Sequence, residues 1–115
     1  MSDAAPFPAR PTGARPGIDD RGRATLSLVC EARQGLQPWH RVRIEDLSEG
    51  GFRLVWPGNR LSRSQSLRLR VPGLQLLTAD IRWVEGAILG CAFATPLHVA
   101  VFEHLVIESR RQSGR

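Results

Sequence analysis

The chain has 115 residues, 42% of them hydrophobic, enough for one compact core and too few for a second domain of ordinary size. Its 16 basic residues are all arginine and face 11 acidic ones, and the net charge of +5 points to an anionic partner. No apolar run approaches the roughly 18–20 residues of a membrane helix, and the Pro-, Ala- and Arg-rich start is unlike a secretory signal. A cytoplasmic protein without membrane contact is expected. Cys30 and Cys91 fit no CxxC or CxxH spacing, so the sequence predicts two buried thiols and neither a metal site nor a disulfide.

Residues 1–18 carry Pro6, Pro8, Pro11 and Pro16 with Gly13 and Gly17, and almost nothing to bury, which predicts a flexible arm. From Arg23 the pattern alternates, with Leu26, Leu28 and Cys30 on one face of a first strand, and 33–38 (RQGLQP) form a turn. Residues 39–46 (WHRVRIED) set Val42 and Ile44 against Arg41, Arg43 and Glu45. Phe52, Leu54 and Trp56 share a face in the third strand, as do Leu67, Leu69 and Val71 in the fourth. Ala79, Ile81 and Trp83 share a face in the fifth, and 87–94 (AILGCAFA) form the sixth after the turn at Glu85-Gly86.

The period then changes. Thr95 suits an N-cap and Pro96 a first helical residue, and Leu97, Val101, Leu105 and Glu108 follow at helical spacing. Arg110 and Arg111 suit the last turn, and 112–115 read as a tail. The fold expected is mainly all-β: a six-stranded antiparallel β-barrel with one C-terminal α-helix, spanning residues 19–111.

Enzyme motifs are absent. His40, His98 and His104 have no metal-ligand spacing, and no phosphate-binding or nucleophile-elbow glycine pattern occurs. No catalytic residue and no cofactor is expected. The densest polar cluster is 45–51 (EDLSEGG), between the second and third strands. As a turn, it uses Asp and Ser side chains on nearby N–H groups, with Gly50 and Gly51 allowing positive φ. As a site, the Asp46 carboxylate can accept two N–H donors from a guanine edge. Ser48 and the amides at Gly50 and Gly51 can then meet a base or phosphate. Arginine would complete it, as the favoured donor to guanine O6 and N7, and Arg21 and Arg23 stand just before the first strand. A nucleic-acid surface on Arg41, Arg43, Arg53, Arg68, Arg70 and Arg82 is disfavoured, because Phe52, Trp56 and Trp83 fall on the apolar face.

The spacing Asp46-x-Ser48-x-x-Gly51 resembles the D-x-S-x-x-G signature of PilZ domains, bacterial modules that bind the second messenger cyclic di-GMP. Ile81-Arg82-Trp83 is similar to the family's V-R-W strand, and Gly90-Cys91-Ala92-Phe93 to its G-x-x-F strand. The family's second signature is R-x-x-x-R before the first strand. Arg23 matches its second arginine, but Asp19 stands where the first would be. The resemblance implies a cyclic di-GMP receptor that binds through Arg21, Arg23, Asp46, Ser48, Gly50 and Gly51. Arg15 or Arg21 would substitute for the missing arginine, the N-terminal arm would reorder on binding, and a protein partner would receive the signal. The departure at Asp19 implies the alternative, an adaptor that binds protein and no nucleotide.

Overall fold

The structure, a computed structural model, describes residues 17–18, 22–58 and 60–114. Its elements in chain order are β1 (Gly17–Ile18), β2 (Ala24–Arg33), β3 (His40–Leu47), β4 (Gly51–Val55), β5 (Leu67–Arg70), β6 (Leu77–Glu85), β7 (Ile88–Phe93) and α1 (Val99–Ser113). The six longer strands run β2-β3-β4-β7-β6-β5, all neighbours antiparallel, and β5 returns to β2 through Glu31↔Arg70, Ala32↔Leu69 and Arg33↔Arg68. That last pairing closes the barrel, as the six alternating segments predict. β1 is an addition: Gly17 pairs with Thr25 and Ile18 with Ala24. These two residues belong to the segment expected as an arm, whose residues 1–16 lie outside the described residues.

The inward positions of all six strands make one core. Leu28, Ile44, Leu47, Phe52, Leu54, Leu67 and Leu69 are completely shielded from solvent, and Phe52 meets Phe93 with ring centroids 5.0 Å apart. The alternation is interrupted in three places. β2 carries an extra residue against β3 between Thr25 and Leu28, β3 carries Glu45 against β4, and β6 carries Arg82 against β7. Each such bulge turns the following residues over to the other face of the sheet. Leu47 therefore joins Ile44 inside although three positions separate them. Trp83 leaves the face of Ala79 and Ile81, and Val84 takes the inward place opposite Leu89. The shared apolar face expected for Ala79, Ile81 and Trp83 is thus corrected.

The helix starts later than Thr95-Pro96 suggests. His98 is the N-cap, its Nδ1 accepting from the Ala100 N–H at 3.0 Å. The residues before it serve the barrel instead: the Leu97 N–H donates to the Glu49 carbonyl at 2.7 Å, and Leu97 is buried. Phe102, Leu105 and Val106 enter the core from the helix, while the carboxylate of the buried Glu108 is compensated by paired hydrogen bonds from Arg111. Those bonds hold the Glu108 carboxyl below the usual carboxylate range.

Helical structure extends past Arg111, and Gln112 has a defined task. Its Oε1 accepts from the Val29 N–H at 2.8 Å and its Nε2 donates to the Val29 carbonyl at 2.9 Å. The side-chain amide takes the place of a neighbouring strand, in the stretch of β2 between its pairings with β1 and β5. Replacing Gln112 with Ala should cost about 1–2 kcal/mol in urea denaturation, since a strand N–H and C=O lose their partners at a site water can reach.

Cys30 and Cys91 are both buried, and burial raises each thiol from the ordinary 9.0 to about 12. The folded chain therefore holds these protons more tightly than the unfolded chain. The resulting stability is complete below about pH 8.5 and lost as pH climbs toward 12. At pH 8 a disulfide reagent should leave both thiols unmodified on the native protein and react with both in denaturant.

Candidate functional site

The bulges assemble one continuous row on the outside of the barrel. Thr25 pairs with Asp46, Asp46 with Arg53, Arg53 with Gly90, and Gly90 with Trp83, crossing β2, β3, β4, β7 and β6. Arg53 lies between the inward residues Phe52 and Leu54, both fully buried, which fixes this row as the outer one. A second outer row runs beside it, in which Gly51 pairs with Ala92 and Ala92 with Asp80. Small residues thus hold the centre of the patch, with charged and aromatic ones around it.

Asp46 is 2% exposed even though it faces outward. Its Oδ2 lies 3.6 Å from an Nη of Arg53, whose side chain is 12% exposed. Charge-assisted N–H···O bonds are shorter, about 2.7–2.9 Å, so this contact is a Coulombic pairing rather than a locked hydrogen bond. Arg53 also keeps a buried Nε that has no hydrogen-bond acceptor.

The turn after β3 is tightly held. The Ser48 N–H donates to the Gly51 carbonyl at 2.8 Å, and the Gly51 N–H donates back to Ser48 Oγ at 3.2 Å. The Gly50 carbonyl accepts from the Phe93 N–H, and the Glu49 carbonyl from the Leu97 N–H. Ser48 is 7% exposed, so its hydroxyl serves the turn before any ligand. Neither Gly50 nor Gly51 adopts a positive φ, and the conformational freedom expected of them is not used. Gly51 matters as an outward position without a side chain.

Arg23 immediately precedes Ala24, which pairs with Leu47. One step further along both strands, Arg23 stands beside Ser48, and alternation puts it on the same face as Thr25 and Asp46. It is half-buried. The site expected from sequence therefore converges in Arg23, Asp46, Ser48, Gly50 and Gly51. Arg21 lies outside the described residues, as do Asp19 and Arg15.

Sequence reasoning missed two members of this surface. Alternation alone places Arg53 with the other outward arginines and Trp83 on the apolar face of its strand. In Trp83 the missing signal was Gly90: a Cβ at Gly90 would collide with the indole ring system, so the pair packs as a glycine under a cross-strand aromatic. The other arginine face behaves differently. Arg43 pairs with Glu45 and Arg70 with Glu31, while Arg33 and Arg70 both sit over the Trp39 ring, 4.7 and 4.1 Å from its centroid. The aromatic on that side is already occupied by the chain's own guanidinium groups. Among the described residues no group of His, Cys, Asp and Glu could hold a metal ion, and no helix is long and apolar enough to cross a membrane.

The family model for the PilZ domain matches residues 19–108. The chain belongs to the PilZ domain family. The crystal structure of the PilZ domain of CeSA from a cellulose-synthesizing bacterium aligns over 80% of this chain and 95% of its own. Its TM-score of 0.51 with 22% identity speaks for the shared fold. No curated protein matches. PilZ domains are cyclic di-GMP receptor domains, binding modules rather than enzymes.

Gly90→Ala should expel the Trp83 indole from its place. Urea denaturation should show a loss of about 1–3 kcal/mol, the range for overpacked sites. Tryptophan emission should shift to longer wavelength, and the shift should vanish in a Trp83→Phe background.

Proposed function

We propose that this PilZ domain is a receptor for cyclic di-GMP, which binds on the outer row from Arg23 to Trp83. The observation that supports this best is the register placing Arg23 one step from the Ala24↔Leu47 and Thr25↔Asp46 pairs, on the face where Asp46 stands. In this reading Arg23 meets a guanine edge or a phosphate. Asp46 accepts the N–H donors of a guanine, which a carboxylate can do and a neutral side chain does less well. Ser48 fixes the turn, and Gly50 and Gly51 give the base access to the backbone. Trp83 offers an aromatic edge to the second base. Ligand contacts made by residues before β2, Arg21 among them, would reorganise the N-terminal arm, and a protein partner would read that change.

Two observations favour the alternative of a protein-binding adaptor without nucleotide: Asp19 in place of the first arginine, and the burial of Asp46. Calorimetry separates the two. Cyclic di-GMP should release binding heat, and Arg23→Ala should weaken it roughly 10- to 100-fold, the loss of one charge-assisted partner. At 100 times its dissociation constant the ligand should add about 2.7 kcal/mol of stability, and GMP should add none. No heat with cyclic di-GMP at high micromolar concentration would assign the chain to the adaptor class.

A further inference from the structure

Resting on that reading, we infer that Arg53 supplies the cation that Asp19 withholds, by passing from Asp46 to a phosphate of the bound dinucleotide. Arg53 stands in the middle of the outer row, between Asp46 on β3 and Gly90 on β7. Its guanidinium is nearly buried, lies 3.6 Å from the Asp46 carboxylate, and retains an Nε–H with no acceptor. A guanidinium has five donors in a planar fork. This one is held at a distance where charge is neutralised and directional bonds are not formed. Its donors are therefore poorly used by the protein alone.

The same pairing helps to compensate the buried Asp46 carboxylate. A carboxylate out of water needs an opposite charge, and Arg53 is the cation placed opposite it. A guanine edge arriving at Asp46 brings N–H donors that take over this task. Arg53 is then free to turn its fork toward the ligand's anionic backbone, which guanidinium groups bind bidentately. Exchange of partners keeps both buried charges compensated before and after binding. The signature arginine position before β2 carries the wrong sign here, whereas Arg53 is anchored in a central strand.

The inference is tested by calorimetry on the full chain with two ligands, cyclic di-GMP and an analogue with one phosphodiester methylated to a neutral triester. The wild type should prefer the charged ligand. Arg53→Gln should weaken cyclic di-GMP binding at least tenfold and shrink that preference, while Arg53→Lys retains most of it. A role in merely supporting Asp46 would weaken both ligands by the same factor, and that result overturns the inference. So does equal binding by Arg53→Gln and wild type. Should Arg53→Gln fail to fold, Asp46→Asn/Arg53→Gln is compared with Asp46→Asn for the same change in preference. A wild type that binds neither ligand would remove the receptor reading itself, and this inference with it.

Discussion

Three inserted residues, at one level of the barrel, decide what this protein can do. A strand of strict period two would send Asp46 inward with Val42 and Ile44, where a lone carboxylate would cost several kcal/mol. The extra residue Glu45 turns the chain over, so that Leu47 fills the core and Asp46 faces out. Arg82 does the same for Val84 and Trp83 on the opposite side of the patch. The core and the outer row are therefore products of the same irregularity. Removing a bulge to perfect the ladder would exchange an apolar side chain for a polar one at both surfaces.

That dependence marks the limit of what the sequence discloses. The strands, the closing helix and the cluster around Asp46 are legible because alternation, turn residues and helical spacing are local signals. A bulge is not local. Leu-Thr-Ala-Asp-Ile-Arg-Trp alternates without fault from Leu77 to Trp83, and only the register against β7 shows that Arg82 is supernumerary. The helix start is hidden from the sequence for a related reason. Thr95-Pro96 has the right chemistry for a cap, but the Leu97 N–H is taken by the Glu49 carbonyl, a partner nearly fifty residues away. Arg53 was visible as a residue and invisible as a neighbour of Asp46, since strand pairing alone brings the two together.

Electrostatics follows the same division between composition and place. A net charge of +5 suggests a broadly basic surface, yet Arg43, Arg70 and Arg111 are matched by Glu45, Glu31 and Glu108. The first two pairs are exposed and contribute little to stability, about 0–1 kcal/mol each, mainly flattening the surface potential. The Asp46–Arg53 pair is unlike them. Both side chains are largely withdrawn from water, so their attraction is less screened, and the cost of leaving either one alone is higher.

A buried pair held at 3.6 Å is a poor choice for stability alone, because apolar residues of similar size would pack the same space at least as well. Its presence in the outer row is better explained by what each member can do when parted. Asp46 unaccompanied is an acceptor for paired N–H donors, and Arg53 unaccompanied is a fork for an anion. A molecule that offers donors and an anion at matching separation satisfies both at once, whereas one that offers either alone parts the pair and compensates only one of its two charges. Under the proposed receptor reading, selectivity for a guanine-bearing phosphodiester over a neutral guanosine or a simple anion would arise from the penalty on partial matches.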